Sequence, residues 1–119
     1  ITDRLGKGLA EANTTLKTKF IKNNRAIKAF WNNTVLAESD NTKVVENNHY
    51  FPPESIHSDY FQLSDKHTTC PWKGRASYFH IKLGDDRKED AAWFYPHPKA
   101  EASQIKNHVA FWNGVEVKE

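Results

Sequence analysis

Apolar positions follow two different periods along this chain, and the change falls near residue 23. In the first stretch Leu5, Leu9, Ala12, Leu16 and Phe20 recur every three or four residues, with Lys, Glu, Asn and Thr between them. That spacing places one apolar stripe on a helix, and Thr2 or Asp3 is available to cap its start. The pattern predicts an amphipathic helix as an N-terminal extension over residues 1–22. Residues 23–119 are then a single β-rich domain.

From Ala26 onward the pattern becomes short strands and turns. Ala29-Phe30-Trp31 and Thr34-Val35-Leu36 flank Asn32-Asn33, and asparagine tolerates the positive φ that a type I′ turn requires. Ala110-Phe111-Trp112 and Val115-Glu116-Val117 flank Asn113-Gly114, a stronger form of the same signal. Two similar hairpins, over about 28–37 and 109–117, are predicted, and with them a pseudo-symmetric pair of small antiparallel sheets. Between them, Thr42 to Glu46 is a short β-branched strand. If the extended segment continues, Glu46 and Tyr50 fall on one face, four residues apart. Pro52-Pro53 must leave the ladder, and Pro53 to Ile56 suits a single helical turn. Arg75 to Leu83 alternates, with Ala76, Tyr78 and His80 on one face and Ser77, Phe79 and Ile81 on the other. Gly84 to Asp90 reads as a charged loop, Ala91 to Tyr95 as a return strand, and Pro98 to Ile105 as a short helix. The fold class is mainly β.

Composition narrows the function classes. Aromatic residues make up 13% of the chain and Met is absent, so the core must supply partners for indole N–H and phenol O–H groups, which also make good pocket walls. The formal charge of +2 comes from interspersed acids and bases, too weak and too mixed for a nucleic-acid footprint. No apolar run approaches the roughly 20 residues of a membrane span. A single cysteine excludes an internal disulfide and makes a reducing compartment the default. The first residues carry no basic-then-apolar leader pattern, and the sequons at Asn13 and Asn32 are read as chance matches. A cytoplasmic location is expected.

Candidate chemistry centres on Thr68-Thr69-Cys70-Pro71-Trp72-Lys73-Gly74. A cation near a thiol lowers its pKa and makes the reactive thiolate, so Cys70 with Lys73 and Arg75 nearby is a candidate nucleophile or sensor. The competing reading, a small buried hydrophobe at a strand entrance, is the commoner one for a free cysteine. Lys73 beside Gly74 suits a phosphate or carboxylate held as a point charge. Glu46, if half-buried, needs a cation, and Lys73 or Arg75 can provide it; a purely structural ion pair is the alternative. His67, Cys70 and His49 fall short of a convincing zinc set, so neither metal nor cofactor is expected. Asp85-Asp86 lies in the most polar stretch and reads as a solvated turn. Walker-type and Gly-x-Gly-x-x-Gly loops are missing from the sequence.

The stretch from Trp31 to Val117 resembles the family catalogued as domain of unknown function 427, also labelled nucleotidyltransferase-like. The resemblance rests on Trp31, Val35-Leu36-Ala37-Glu38-Ser39-Asp40 and Glu46-x-x-x-Tyr50-Phe51-Pro52. It continues through Ser64, Thr68-x-Cys70-Pro71-Trp72-Lys73-Gly74-x-Ala76-x-Tyr78, Ala92-Trp93-Phe94-Tyr95 and Val109-Ala110-Phe111-Trp112. It implies a compact domain of coiled antiparallel strands with little helix. Carried over by the motif, Glu46, Tyr50, Thr68, Cys70, Lys73, Tyr78, Trp93 and Tyr95 would line an aromatic pocket for a small, anionic molecule. Lys73, Cys70 and Glu46 are the candidates for chemistry, and Tyr50, Thr68, Tyr78, Trp93 and Tyr95 for binding. The alternative is a non-catalytic protein-interaction or oligomerisation module, in which the N-terminal helix recruits a partner protein or another copy of the chain to form a homo-oligomer. Metal-dependent nucleotidyl transfer needs carboxylates for magnesium and a phosphate-cradling loop, so it is a minor alternative here, as is a thiol sensor at Cys70.

Overall fold

The computed structural model describes residues 26–119, so the predicted N-terminal helix lies outside the described residues. Among the described residues nine strands follow in order: β1 (Ile27–Trp31), β2 (Thr34–Ser39), β3 (Lys43–Val45), β4 (Asn48–Tyr50), β5 (Phe61–Cys70), β6 (Gly74–Leu83), β7 (Asp86–Phe94), β8 (Val109–Phe111) and β9 (Glu116–Lys118). They form three antiparallel sheets ordered β2-β1-β9, β3-β4 and β5-β6-β7-β8. Short 3-10 turns occupy Pro53–Ser55, Ser58–Tyr60 and Ala100–Ile105, the first and last where the prolines predict helical turns. Among the described residues no helix is long and apolar enough to cross a membrane.

The first predicted hairpin forms as expected. Asn32 and Asn33 adopt φ of 50° and 60°, and Trp31 pairs with Thr34 across the two-residue turn. The second is a correction. Asn113 and Gly114 do turn, with φ of 59° and 100° and a Val115 N–H bond to the Trp112 carbonyl at 3.2 Å. The flanking strands nevertheless part: β8 pairs with β7 and β9 pairs with β1. Trp112 is the reason, since its backbone N–H donates to the Ala91 carbonyl at 3.0 Å and its indole donates to the Asp90 carbonyl at 2.5 Å. These bonds hold the start of the turn on β7, while Val117 pairs with Ala29 on the open side of β1. The segment therefore stitches two sheets together and does not repeat the first hairpin. The charged stretch after Gly84 also departs from expectation. Leu83 pairs with Asp86, so only Gly84-Asp85 is loop and Arg87 to Asp90 is strand. Its exposed positions let charged side chains stay in water.

Strand alternation divides the core into two clusters on opposite faces of the four-stranded sheet. Ala92, Val109 and Phe111 pack with Ala29, Leu36, Phe51 and Ile81 on one face. Ala76, Tyr78 and Ala110 pack with Tyr50, Tyr95, Ala102 and Ile105 on the other. Phe51 exchanges both backbone hydrogen bonds with Val109 at 2.8 Å, which docks the β3–β4 hairpin beside β8. Full burial of Phe51 and Leu36 contributes about 2 kcal/mol each. The tyrosine-rich face carries the polar groups of interest.

Candidate functional site

Register builds the site. Tyr78 on β6 stands opposite Trp93 on β7, which stands opposite Ala110 on β8. Two residues along from Trp93 and from Ala110, Tyr95 and Trp112 fall on the same side. Trp93 lies at the centre, edge-on to Tyr50 at 6.2 Å and to Trp112 at 6.4 Å between ring centroids. The β5–β6 connection is a three-residue loop, Pro71-Trp72-Lys73, closed by the Cys70–Gly74 pair. Gly74 has φ of 114°, and a Cβ there would sit 3.3 Å from the His97 carbonyl oxygen, so only glycine fits. The Lys73 carbonyl accepts from Lys99 N–H at 2.9 Å, and the Lys99 ammonium donates to the Pro71 carbonyl at 2.6 Å. The loop is thereby held with the Lys73 side chain turned inward.

Glu46 arrives from the turn between β3 and β4. It and Asn47 have φ of 53° and 67°, a type I′ geometry that suits asparagine and strains glutamate by of order 1 kcal/mol. This corrects the expectation that Glu46 and Tyr50 share a strand face: the chain reverses between them, and Tyr50 pairs back with Lys43. What the glutamate does there is hold a cation. One carboxylate oxygen accepts from the Lys73 ammonium, and the other accepts from the Trp72 indole at 3.3 Å. The Lys73 side chain is only 8% exposed, whereas that of Glu46 is 52% exposed. The ammonium also lies 5.4 Å from the Trp72 ring centroid and 5.7 Å from that of Tyr95, in cation–π range.

These residues border a cleft of 290 Å³ lined by Glu46, Asn48, Lys73, Tyr78, Trp93, Tyr95 and Trp112. Two larger grooves of 700 and 650 Å³ lie elsewhere, one beside Phe30, Asn32 and Lys118 and one beside Glu38, Pro52 and His57. Neither has a buried charged side chain in its lining, and the smaller cleft has Lys73, so it is the better candidate.

Five of the eight sequence candidates therefore line one cleft. Tyr50 is fully buried beneath it and accepts the Trp93 indole N–H at 3.1 Å. Thr68 is exposed and positions Tyr78 through a 3.0 Å hydroxyl–hydroxyl bond. Cys70 is half-buried against the tyrosine cluster and does not line the cleft. Asn48 and Trp112 were not singled out from the sequence. For Trp112 the signal was its two-residue spacing from Ala110; for Asn48 there was none.

Charge states follow from these contacts. The Lys73 hydrogen bond, then that of Trp72, holds the Glu46 carboxyl below its ordinary pKa. Burial alone would lower the Lys73 ammonium, but the Glu46 hydrogen bond together with the Tyr50 and Tyr95 phenols and the Glu46 charge outweighs it, and its pKa is raised. Burial raises Tyr50, against the opposing bond from Trp93, and pushes Tyr95 up to about 12. At neutral pH the site holds one ammonium, one carboxylate and neutral phenols. Among the described residues, the Tyr95 hydroxyl has no hydrogen-bond partner although the residue is 5% exposed, and Glu46 is the only acceptor of the Lys73 ammonium.

A second polar cluster lies behind Trp112. Ser64 donates to the Asp90 carboxylate at 2.5 Å, and Asp90 N–H donates to His80 Nδ1 at 3.1 Å. His80 Nδ1 is thus an acceptor, and its 3.6 Å approach to the Asp90 carboxylate is not an ion pair while the ring is neutral. The cluster satisfies polar groups where β5, β6 and β7 shift register and where Asp90 takes a φ of 54°. Among the described residues no group of three or more His, Cys, Asp or Glu converges as a metal site would.

A comparison with curated proteins finds no match. Residues 19–119, however, match the family described as Domain of unknown function (DUF427), and the chain belongs to that family.

Proposed function

We propose that the cleft binds a small planar molecule through an oxyanion, a carboxylate or phosphate, held by Lys73 and Tyr95. The observation that carries this reading is the surplus of donors. A lysine ammonium has three N–H groups, and among the described residues its one bond to Glu46 leaves two of them, beside a Tyr95 hydroxyl that no described residue bonds. Buried donors without acceptors are costly, about 1–3 kcal/mol each, and an acceptor-rich ligand group relieves that. Trp93, Trp112 and Tyr78 offer flat apolar walls for the rest of the ligand. The volume of 290 Å³ is about twice that of a cavity known to hold benzene, which favours a bicyclic body over a nucleoside triphosphate.

The protonation states fit recognition better than catalysis. Lys73 is held as a cation and is no base, Glu46 is a weakened base, and Cys70 lies outside the lining. Thermal unfolding with 2-naphthoate, indole-3-carboxylate and phenyl phosphate, against neutral 2-naphthamide, tests the reading. At tenfold excess over Kd the expected gain is about 1.4 kcal/mol, or on the order of 5 °C. Anions that shift the midpoint no more than the amide does would overturn it.

A further inference from the structure

Glu46 bonds the same ammonium that the ligand's oxyanion would take, and two anions side by side there repel. Its carboxylate caps an ammonium that is otherwise enclosed, and does so from the solvent side, 52% exposed against 8% for the lysine. It reaches that position from a two-residue turn in which its own backbone has φ of 53°, a conformation that asparagine or glycine adopts more easily. A residue chosen only to make the turn would not be glutamate. Released from Lys73, this carboxylate returns to water with little reorganisation, because half of it is hydrated already. The Trp72 indole, bonded to its second oxygen at 3.3 Å, is released with it.

We propose that Glu46 is a tethered competitor: it neutralises Lys73 in the empty cleft, and an incoming oxyanion must displace it to bind. The inference rests on the oxyanion reading above and adds how that site is regulated. Only ligands whose anionic group outcompetes an intramolecular carboxylate gain access, so neutral and weakly accepting molecules of the same shape are excluded. Because the carboxylate leaves as the ligand's arrives, the net charge around Lys73 is conserved and no buried cation is left unpaired at either stage.

Calorimetric titration of 2-naphthoate into the wild type, Glu46→Gln and Glu46→Asp tests this. The amide lacks the charge and the shorter acid lacks the reach, so both variants are expected to bind about tenfold tighter, the scale of one charge-assisted hydrogen bond. In the wild type the Trp72 indole N–H resonance, assigned with Trp72→Phe, is expected to move on saturation. Equal or weaker binding by both folded variants overturns the competitor role and leaves the oxyanion reading standing, as does a Trp72 resonance that stays in place while ligand binds. No binding by any of the three proteins overturns both.

Discussion

Replacing Tyr95 by phenylalanine should leave the protein at least as stable as the wild type, and this separates a ligand-facing hydroxyl from a structural one. Tyr95 is 5% exposed, its ring packs in the second core cluster, and among the described residues nothing bonds its hydroxyl. Tyr95→Phe keeps the ring and removes an oxygen that has lost water without gaining a partner. Relief of that desolvation is of order 1 kcal/mol, between zero and about 2 depending on how much water reaches the cleft. Tyr50→Phe is the internal control. It removes the acceptor of the Trp93 indole at 3.1 Å beneath a fully buried ring, which strands an N–H and should cost about 1–3 kcal/mol. Urea unfolding of the three proteins, compared at constant m, reads both differences. A loss above about 1 kcal/mol in Tyr95→Phe would mean that the hydroxyl holds the fold together, and the cleft's surplus of donors would be one group smaller.

Lys73→Met should change stability by no more than about 1 kcal/mol in either direction, because the desolvated cation disappears while its exposed partner simply rehydrates. Urea unfolding checks it, and a loss above about 3 kcal/mol would make the ion pair structural. Gly74→Ala should cost about 2–3 kcal/mol, from a φ of 114° and a Cβ at 3.3 Å from the His97 carbonyl oxygen; a neutral result in the same assay would contradict the loop's described geometry. In alkali, Tyr95 goes from an ordinary pKa of 10.0 to about 12 in the folded protein. Between those values the folded state binds more protons, so stability is lost as pH rises from 10.0 through about 12, because burial penalises the phenolate. Phenolate absorbance followed alongside unfolding should show this loss reduced in Tyr95→Phe, and an unchanged profile would refute it.

Legibility in the sequence depended on whether the deciding interaction was local. The Asn32-Asn33 turn and the alternation of β6 are local, and both were readable. The Asn113-Gly114 turn was readable too, but not the fate of its flanks, since that depends on β7 capturing Trp112 and on β1 having an open side. β5 is not legible in the sequence because an exposed edge strand need not alternate: of its ten residues only Ser64 is buried. Glu46 illustrates the same limit. Lys73 as one of its two cation partners followed from charge, although the burial falls on the lysine and leaves the glutamate 52% exposed. Its turn did not, because glutamate is a poor signal for positive φ. The aromatic cleft became visible only when register set Tyr78 beside Trp93 and brought Trp112 alongside.

The most direct test of the cleft as an oxyanion site is calorimetric titration of 2-naphthoate into the wild type, Lys73→Met and Tyr95→Phe. Loss of the ammonium is expected to weaken binding about a hundredfold and loss of the hydroxyl about fivefold to tenfold, the scale of a charged and a neutral hydrogen bond. Equal affinity for wild type and Lys73→Met would contradict the account.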